Sequence, residues 1–229
     1  TINNNMYVLD TDNTSYAFAV LGSGQLEHLY YGRKLHANEA VMTEKHTFIP
    51  GNTNVYNKDY SSYSLEDVCL EMSSLGKGDI REPFIEVTYP NGSSTTDMVF
   101  DRAEIIQGKE EYDTLPGSYD DNGEVEQLVI YLKDRNYNLT LELHYYVYEK
   151  CDIITRSAKL VNSGNESVRL ERLMSMQLDL NESDYELSFF NGAWAREMNR
   201  SRIPIRAGKY VNESVTGTSS NRANPFFIL

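Results

Sequence analysis

The segment GKGDIREP at residues 76–83 places a carboxylate and a guanidinium two positions apart, at Asp79 and Arg81. Its two glycines and its final proline predict a shaped loop that leads into a strand. Carboxylates accept hydrogen bonds from sugar hydroxyls and a guanidinium donates to them, so the pair suits substrate binding. The same spacing also suits a structural ion pair, which is the simpler interpretation. Substrate binding and a structural ion pair are therefore the two candidate roles of Asp79 and Arg81.

The segment GAWARE at residues 192–197 holds Trp194, the only tryptophan, followed by Arg196 and Glu197. An indole has a flat apolar face that can stack on a sugar ring, and the two charged groups can bond its hydroxyls. A single tryptophan more often anchors a core or an interface. These three residues are candidates for substrate binding, and packing is the competing role.

Other chemistries find little support in the sequence. The four histidines form no HxH or HxxxH pair, and no glycine-rich phosphate loop, GxSxG turn or cysteine–histidine nucleophile pattern occurs. Acidic residues are plentiful, but no two of them stand out as a glycosidase pair. The histidines are His28, His36, His46 and His144. We therefore assign no catalytic residue, no metal and no cofactor.

The elements that must position these segments follow a two-residue period. From Leu139 to Tyr148, leucine and other apolar residues alternate with polar residues and tyrosine. Strict alternation predicts a strand with one face on a core and the other in water. Further strands are expected at 15–21, 26–31, 85–89, 98–100, 127–132, 153–161 and 168–180, with turns at 22–24, 90–92 and 162–165.

Helical spacing occurs in one place. Ser64–Asp67 resembles a capping box, and Leu65, Val68, Cys69 and Met72 share a helical period. One short helix is expected there. Many long strands and almost no helix predict an all-β fold, a large antiparallel sandwich of two sheets.

The composition excludes several classes of partner. The chain has 229 residues and a net charge of −13, which repels phosphate backbones and anionic lipid heads. No apolar run reaches the length of a membrane span. We therefore expect neither nucleic acid nor membrane as a partner. Cys69 and Cys151 lie far apart in the sequence, so we expect two reduced thiols and a cytoplasmic protein.

The same segments, in the same order, resemble the N-terminal domain of glycoside hydrolase family 36 α-galactosidases of the bacterial multimeric type. The matching stretches are SYAFAVLGSGQLEHLYYGRKL, GKGDIREPFIEV, YEKCDIITRSAKLVNSG, LERLMSMQLDL, GAWARE and GTSSNRANPF. They span essentially the whole chain. GAWARE, the ITRS strand and the SS…NPF ending make the resemblance specific.

This resemblance implies a β-supersandwich, similar to galactose-mutarotase-like domains, over residues 1–229. We expect it to be incomplete at its C-terminus, because the final FFIL reads as a strand cut short. A (β/α)₈ barrel, absent here, would follow and carry the two catalytic aspartates of a retaining mechanism. The chain would then be a non-catalytic, separately inactive part of an α-galactosidase that hydrolyses terminal α-galactosides of raffinose or melibiose type.

The resemblance also implies a homo-tetramer in which residues 36–64 reach the active site of a neighbouring subunit. Some members of the family place an aspartate and an arginine there to hold the second sugar. The aligned positions here read Lys45 and Ser61, which leaves the preferred oligosaccharide open. The alternative functions are a free-standing carbohydrate-binding module and a structural β-sandwich module.

Overall fold

The computed structural model describes residues 2–3, 5–36, 55–61, 64–112, 114, 117–180, 184–217 and 221–229. Antiparallel strands dominate these residues, and helix is limited to single 3-10 turns at Lys58–Tyr60, Leu65–Asp67 and Glu149–Cys151. The strands are β1 (Ile2–Asn3), β2 (Met6–Asp10), β3 (Thr14–Val20), β4 (Leu26–Arg33), β5 (Ile85–Thr88), β6 (Met98–Gln107), β7 (Glu126–Asp134), β8 (Leu139–Tyr148), β9 (Ile153–Asn162), β10 (Arg169–Leu173), β11 (Glu186–Ala193), β12 (Arg196–Pro204) and β13 (Ala223–Ile228). The all-β prediction is confirmed.

The chain divides into two compact units, residues 1–179 and 180–229. The first unit contains three antiparallel sheets, with strand orders β1-β2-β3-β4, β6-β7-β8-β9 and β10-β5. Apolar side chains from these sheets meet in one core, where the rings of Phe18 and Tyr145 stack with their centroids 5.2 Å apart. Because the two four-stranded sheets bury their apolar faces in the same core, they form a sandwich within this unit.

Strand β8 has the predicted bounds, and its odd-numbered residues point into the core. The prediction that its other face lies in water is wrong for the second half, because His144 and Tyr146 are buried. Residues 108–112 fold over this face, with the Tyr112 hydroxyl 2.7 Å from Ser157 Oγ. The Lys109 ammonium lies 5.4 Å from the centre of the Tyr146 ring. This cover comes from a connecting segment, which the period of the strand itself cannot reveal.

The predicted turns form. Residues 22–24 join β3 to β4 in a hairpin, and Gly92 N donates to Tyr89 O at 2.9 Å in the second turn. The strands on either side of the second turn enter different sheets, since β5 pairs with β10 and β6 pairs with β7. The strand expected at 168–180 ends earlier, at Leu173. The residues after it form hydrogen bonds to other parts of the first unit instead of pairing as a strand. For example, Gln177 O accepts from Arg156 Nη1 at 2.7 Å.

The short helix expected after Ser64 is a single 3-10 turn, Leu65–Asp67. The Ser64 hydroxyl makes no capping hydrogen bond. The turn ends at Val68, in extended conformation, because the chain then lies along β4 and forms an isolated bridge between Glu27 and Leu70. Pairing with a strand thus replaces further helical turns.

A buried polar cluster lies within the apolar core of the first unit. The Glu71 carboxylate has no exposed surface and accepts hydrogen bonds from the hydroxyls of Tyr16 and Tyr145, each at 2.7 Å. His28 Nδ1 lies 2.8 Å and Arg156 Nη2 lies 3.1 Å from the same carboxylate. Burial alone would raise the pKa of Glu71, but Arg156 and the surrounding donors favour the charged form more strongly, so the pKa is lowered.

The second unit is a three-stranded antiparallel sheet in the order β12-β11-β13. Strands β11 and β12 form a hairpin whose register runs from Glu186–Pro204 to Ala193–Arg196. Aromatic rings line the sheet: the centroids of Phe190 and Phe226 lie 4.7 Å apart. The GAWARE segment therefore lies at the closed end of a β-hairpin.

Candidate functional site

The tip of the β11–β12 hairpin presents Trp194. Trp194 and Ala195 form a two-residue turn between the paired residues Ala193 and Arg196. Ala195, the second of the two turn residues, has a φ of 59°, in the left-handed region that non-glycine residues rarely adopt. The Trp194 side chain is 88% exposed, which excludes the core-anchor role within the described residues. An indole held outward on a short hairpin is a suitable stacking platform.

Two contacts fix the shape of this tip. Glu197 Oε1 accepts a hydrogen bond from Ala195 N at 2.8 Å, which ties the strand after the turn to the turn itself. A Cβ at Gly192 would lie 2.6 Å from Arg196 O and 2.7 Å from Asn221 O. Only glycine allows three backbone segments to approach so closely there. The Gly at the start of GAWARE thus serves the backbone and the Glu at its end serves the turn.

Arg196 and Glu197 are both exposed. The guanidinium of Arg196 makes no hydrogen bond or ion pair with any residue that the structure describes, so its donors are available to a ligand. Glu197 keeps one carboxylate oxygen beyond the one bound to the turn. The tip combines an apolar face, a cation and a carboxylate, which suits binding of a neutral polyol.

Asp79 and Arg81 lie in the first unit and contact each other. Arg81 Nε donates to Asp79 Oδ1 at 2.8 Å, and Arg81 Nη2 donates to Val68 O at 2.8 Å and also to Leu65 O. Arg81 Nη1 donates to Asp179. Four of the five guanidinium N–H groups are thereby engaged within the chain. This geometry favours the structural ion pair over sugar binding, because Asp79 is also buried.

The clamp around Arg81 depends on a residue that the sequence did not reveal. Asp179 Oδ2 accepts from Leu70 N at 2.8 Å and from Gln177 Nε2 at 3.1 Å in addition to Arg81. It lies 98 positions from Arg81, in a segment predicted as strand. No local pattern marks such a partner. The clamp holds residues 65–70, immediately after the segment 36–64.

The segment 36–64 is described only in part. Lys45 lies outside the described residues. Ser61 is exposed and follows the 3-10 turn at Lys58–Tyr60, whose first amides are capped by the Asn57 side chain. Tyr56 is buried, and its hydroxyl donates to Asp97 Oδ1 at 2.8 Å. The C-terminal part of the segment is thus anchored to the first unit.

The described residues contain neither a metal-binding cluster nor a membrane-spanning helix. No group of three or more histidine, cysteine, aspartate or glutamate side chains there is arranged to hold a metal ion. No helix in that part of the chain is long and apolar enough to cross a bilayer. Neither cysteine forms a disulfide among the described residues; Cys151 is exposed and Cys69 is half-buried.

Known proteins resemble the chain along almost its whole length. α-Galactosidase AgaA of Geobacillus stearothermophilus is 35% identical over 227 residues, which are 96% of this chain and 30% of that protein. The bifunctional α-galactosidase/sucrose kinase AgaSK of Mediterraneibacter gnavus is 33% identical over 99% of the chain and 24% of its own length. This chain therefore spans about a third or less of the relatives it matches.

Solved structures agree with the sequence comparison. The crystal structure of the GH36 α-galactosidase AgaB from Geobacillus stearothermophilus superposes with a TM-score of 0.92 at 31% identity, over 99% of this chain and 31% of that one. A variant of AgaA from the same organism, in complex with raffinose, gives a TM-score of 0.90 at 32% identity, over 97% and 31%. Residues 24–229 match the family described as the glycosyl hydrolase family 36 N-terminal domain. The chain belongs to this family.

Proposed function

We propose that this chain is the non-catalytic N-terminal domain of a retaining α-galactosidase that hydrolyses terminal α-galactosides of raffinose or melibiose type. The family match over residues 24–229 carries the proposal, because the matching relatives include α-galactosidases and one solved relative holds raffinose. The catalytic carboxylates then belong to polypeptide outside these 229 residues. Two cysteines without a disulfide between them are consistent with a cytoplasmic bacterial enzyme.

Within that enzyme, the domain contributes to a homo-tetramer and to the rim of a neighbouring subunit's active site. Two features support this role. The segment 36–64 is anchored at its C-terminal part by Tyr56, and the clamp around Arg81 holds residues 65–70 immediately after it. The Trp194 hairpin holds an exposed indole beside Arg196 and Glu197, and we assign these three residues to substrate binding. Asp79 and Arg81 act by supporting residues 65–70, which follow that segment.

The test uses the full-length enzyme and two substrates. Raffinose extends beyond the galactosyl ring, whereas a small chromogenic α-galactoside does not. Trp194→Ala should lower kcat/KM for raffinose by about tenfold, equivalent to ~1.4 kcal/mol of lost binding. The chromogenic substrate should be affected less. Val215→Ala, which removes a side chain 92% exposed in the same unit, is the matched control and should change neither substrate.

The outcomes separate the parts of the proposal. A folded full-length protein that hydrolyses no α-galactoside would refute the assigned activity. Equal losses on both substrates would refute a contact of Trp194 with the sugar beyond the galactosyl ring. Loss of the tetramer by native mass measurement would show that Trp194 serves packing between subunits. Hydrolysis by residues 1–229 alone would contradict the assignment of the catalytic groups to another part of the enzyme.

A further inference from the structure

A cavity of about 570 Å³ opens in the first unit between the β6–β7 and β8–β9 connections. This volume lies within the range of roughly 300–1,000 Å³ that is typical of small-ligand sites. Two tyrosine rings, four carboxylates and two amides line it. Neither the family resemblance nor the hairpin of Trp194 accounts for this combination of aromatic and hydroxyl-binding groups.

The wall formed by the β6–β7 connection is held by hydrogen bonds. Gln107 Nε2 donates to Gly123 O at 2.9 Å, and Asp120 Oδ1 accepts from Glu124 N at 2.9 Å. Lys150 Nζ, from the opposite wall, lies 2.8 Å from both carboxylate oxygens of Glu124. The two walls are therefore joined across one side of the cavity.

The wall formed by the β8–β9 connection is equally anchored. Asp152, in the left-handed conformation, accepts from Thr11 Oγ1 and from Asn13 N, each at 2.8 Å. The hydroxyl of Tyr148 bonds Ser118 Oγ, which ties the end of β8 to the facing connection. The cavity is thus a built feature of the fold, held by contacts from three loops.

Several lining groups remain available after these bonds are formed. The Tyr119 side chain is 83% exposed at the cavity. The side chains of Asp121, Asn122 and Glu149 make no hydrogen bond to any described residue, although all three line the cavity. The available groups are therefore an aromatic face, two carboxylates that accept and an amide that both donates and accepts.

This chemistry selects among ligand classes. An anion would meet the uncompensated carboxylates and the acidic chain as a whole. A metal ion would need three converging ligands, which the described residues do not provide. A neutral polyol carries no charge to repel, offers hydroxyls to the carboxylates and the amide, and presents a C–H face to a tyrosine ring.

We propose that this cavity is a binding site for a neutral oligosaccharide that ends in a galactosyl ring. Tyr119 stacks on the ring, and Asp121, Asn122 and Glu149 bond its hydroxyls. The choice of sugar rests on the proposed function, since an α-galactosidase would meet such oligosaccharides as substrates. The site would bind this oligosaccharide without taking part in the chemistry.

The test uses a thiol that already lines the cavity. Cys151 is exposed there, whereas Cys69 is half-buried and does not line it. Alkylation by iodoacetamide is followed at both cysteines by peptide mass spectrometry, with raffinose as the probe and glycerol as the polyol control. Bound sugar should slow alkylation of Cys151 by a factor of 1 + [L]/Kd, about tenfold when raffinose is ninefold above Kd. The rate at Cys69 should not change.

Two variants localise the effect. Tyr119→Ala removes the stacking ring from an exposed position and should abolish most of the protection of Cys151. Ile80→Ala removes a side chain that is 80% exposed outside the cavity and should leave the protection intact. The reaction is followed both in residues 1–229 and in the full-length enzyme, so that a fragment that does not fold leaves the second measurement decisive.

The readout is a thiol reaction and not turnover, and the raffinose concentration is measured at the end of the full-length experiment because the enzyme would hydrolyse the probe. Unchanged alkylation of Cys151 in raffinose, or equal protection by glycerol, overturns the proposed site even if the enzyme hydrolyses raffinose normally. Protection of Cys151 in a full-length protein without α-galactosidase activity would instead refute the proposed function and leave the site in place. Protection that survives Tyr119→Ala overturns the assigned stacking role.

Discussion

The buried cluster around Glu71 and the exposed hairpin tip at Trp194 use similar side chains in opposite ways. In the first, a carboxylate, a guanidinium and two aromatic hydroxyls satisfy one another with almost no exposed surface. In the second, an indole, Arg196 and a carboxylate project outward with most of their bonding capacity unused. The same kinds of side chain therefore stabilise the fold where they are buried and paired, and are available to bind a ligand where they are exposed.

The difference has an energetic basis. Each charge in the buried cluster was removed from water, so its partners are required to offset the cost of that transfer. The groups at the hairpin tip remain hydrated, and their removal leaves nothing uncompensated. Substitutions in the two regions should therefore divide cleanly into losses of stability and losses of binding.

Glu71→Ala should have the largest effect on stability. It leaves the guanidinium of Arg156, whose side chain is 5% exposed, without its buried counter-charge. We expect a loss of about 3–5 kcal/mol in the free energy of unfolding, as for other broken buried pairs. Glu104→Ala is the matched control, since Glu104 pairs at the surface with Arg102 and should cost about 0–1 kcal/mol. Urea denaturation of both variants measures the difference, and equal losses would contradict the comparison.

The same carboxylate should make stability depend on pH. The pKa of Glu71 is lowered in the folded chain from its ordinary value of 4.5. Its contribution is therefore fully present above the unfolded pKa and is lost as the pH falls through the folded pKa. Glu71→Gln should give a smaller loss of stability on acidification than the wild type, measured as urea midpoints at a series of acidic pH values. A slope as steep as that of the wild type would show that other carboxylates carry the acid transition.

The sequence could predict the fold of these regions but not the buried cluster. The two-residue period marks β8 and β9 and shows that Arg156 shares a face with Ile154 and Ala158, which is a signal of a buried guanidinium. Its partner Glu71 lies in a segment without regular structure, so no period points to it. The partner of Arg81 is equally hidden, because Asp179 follows the end of β10. Pairings between distant irregular segments depend on the folded chain.

The candidate site was easier to predict, because its components are local. Trp194, Arg196 and Glu197 lie within four residues, and a hairpin turn brings them together by itself. Their exposure, however, depends on which face of the turn carries the indole. The cavity beside Tyr119 could not be predicted in this way. Its lining comes from two connections that are separated in the sequence, and no sequence motif indicates it.

Gly192→Ala should have an intermediate effect on stability and should also lower activity. The added Cβ would lie 2.6 Å from Arg196 O and 2.8 Å from Glu197 Cα, so the hairpin must shift at the base of its turn. We expect a loss of about 1–3 kcal/mol, typical of overpacking. Gly117→Ala is the control, because its Cβ would meet only the flexible end of Lys109, at 3.1 Å. Thermal denaturation compares them, and activity on raffinose should fall with Gly192→Ala alone. An unchanged melting temperature for Gly192→Ala would show that the residues before β13, at Asn221, move to make room for the added Cβ.

Trp194→Ala should have the smallest effect on stability and thereby gives the sharpest contrast with Glu71→Ala. The indole is 88% exposed and packs against no described core, so its removal should change the free energy of unfolding by less than about 0.5 kcal/mol. The measurement is urea denaturation of residues 1–229, where no neighbouring subunit can cover the indole at low protein concentration. If Trp194→Ala lowers the free energy of unfolding more in the full-length assembly than in residues 1–229, the additional loss reflects burial of Trp194 between subunits. A loss above 1 kcal/mol already in the isolated domain would mean that the tip supports the fold, and the division between the buried cluster and the hairpin would fail.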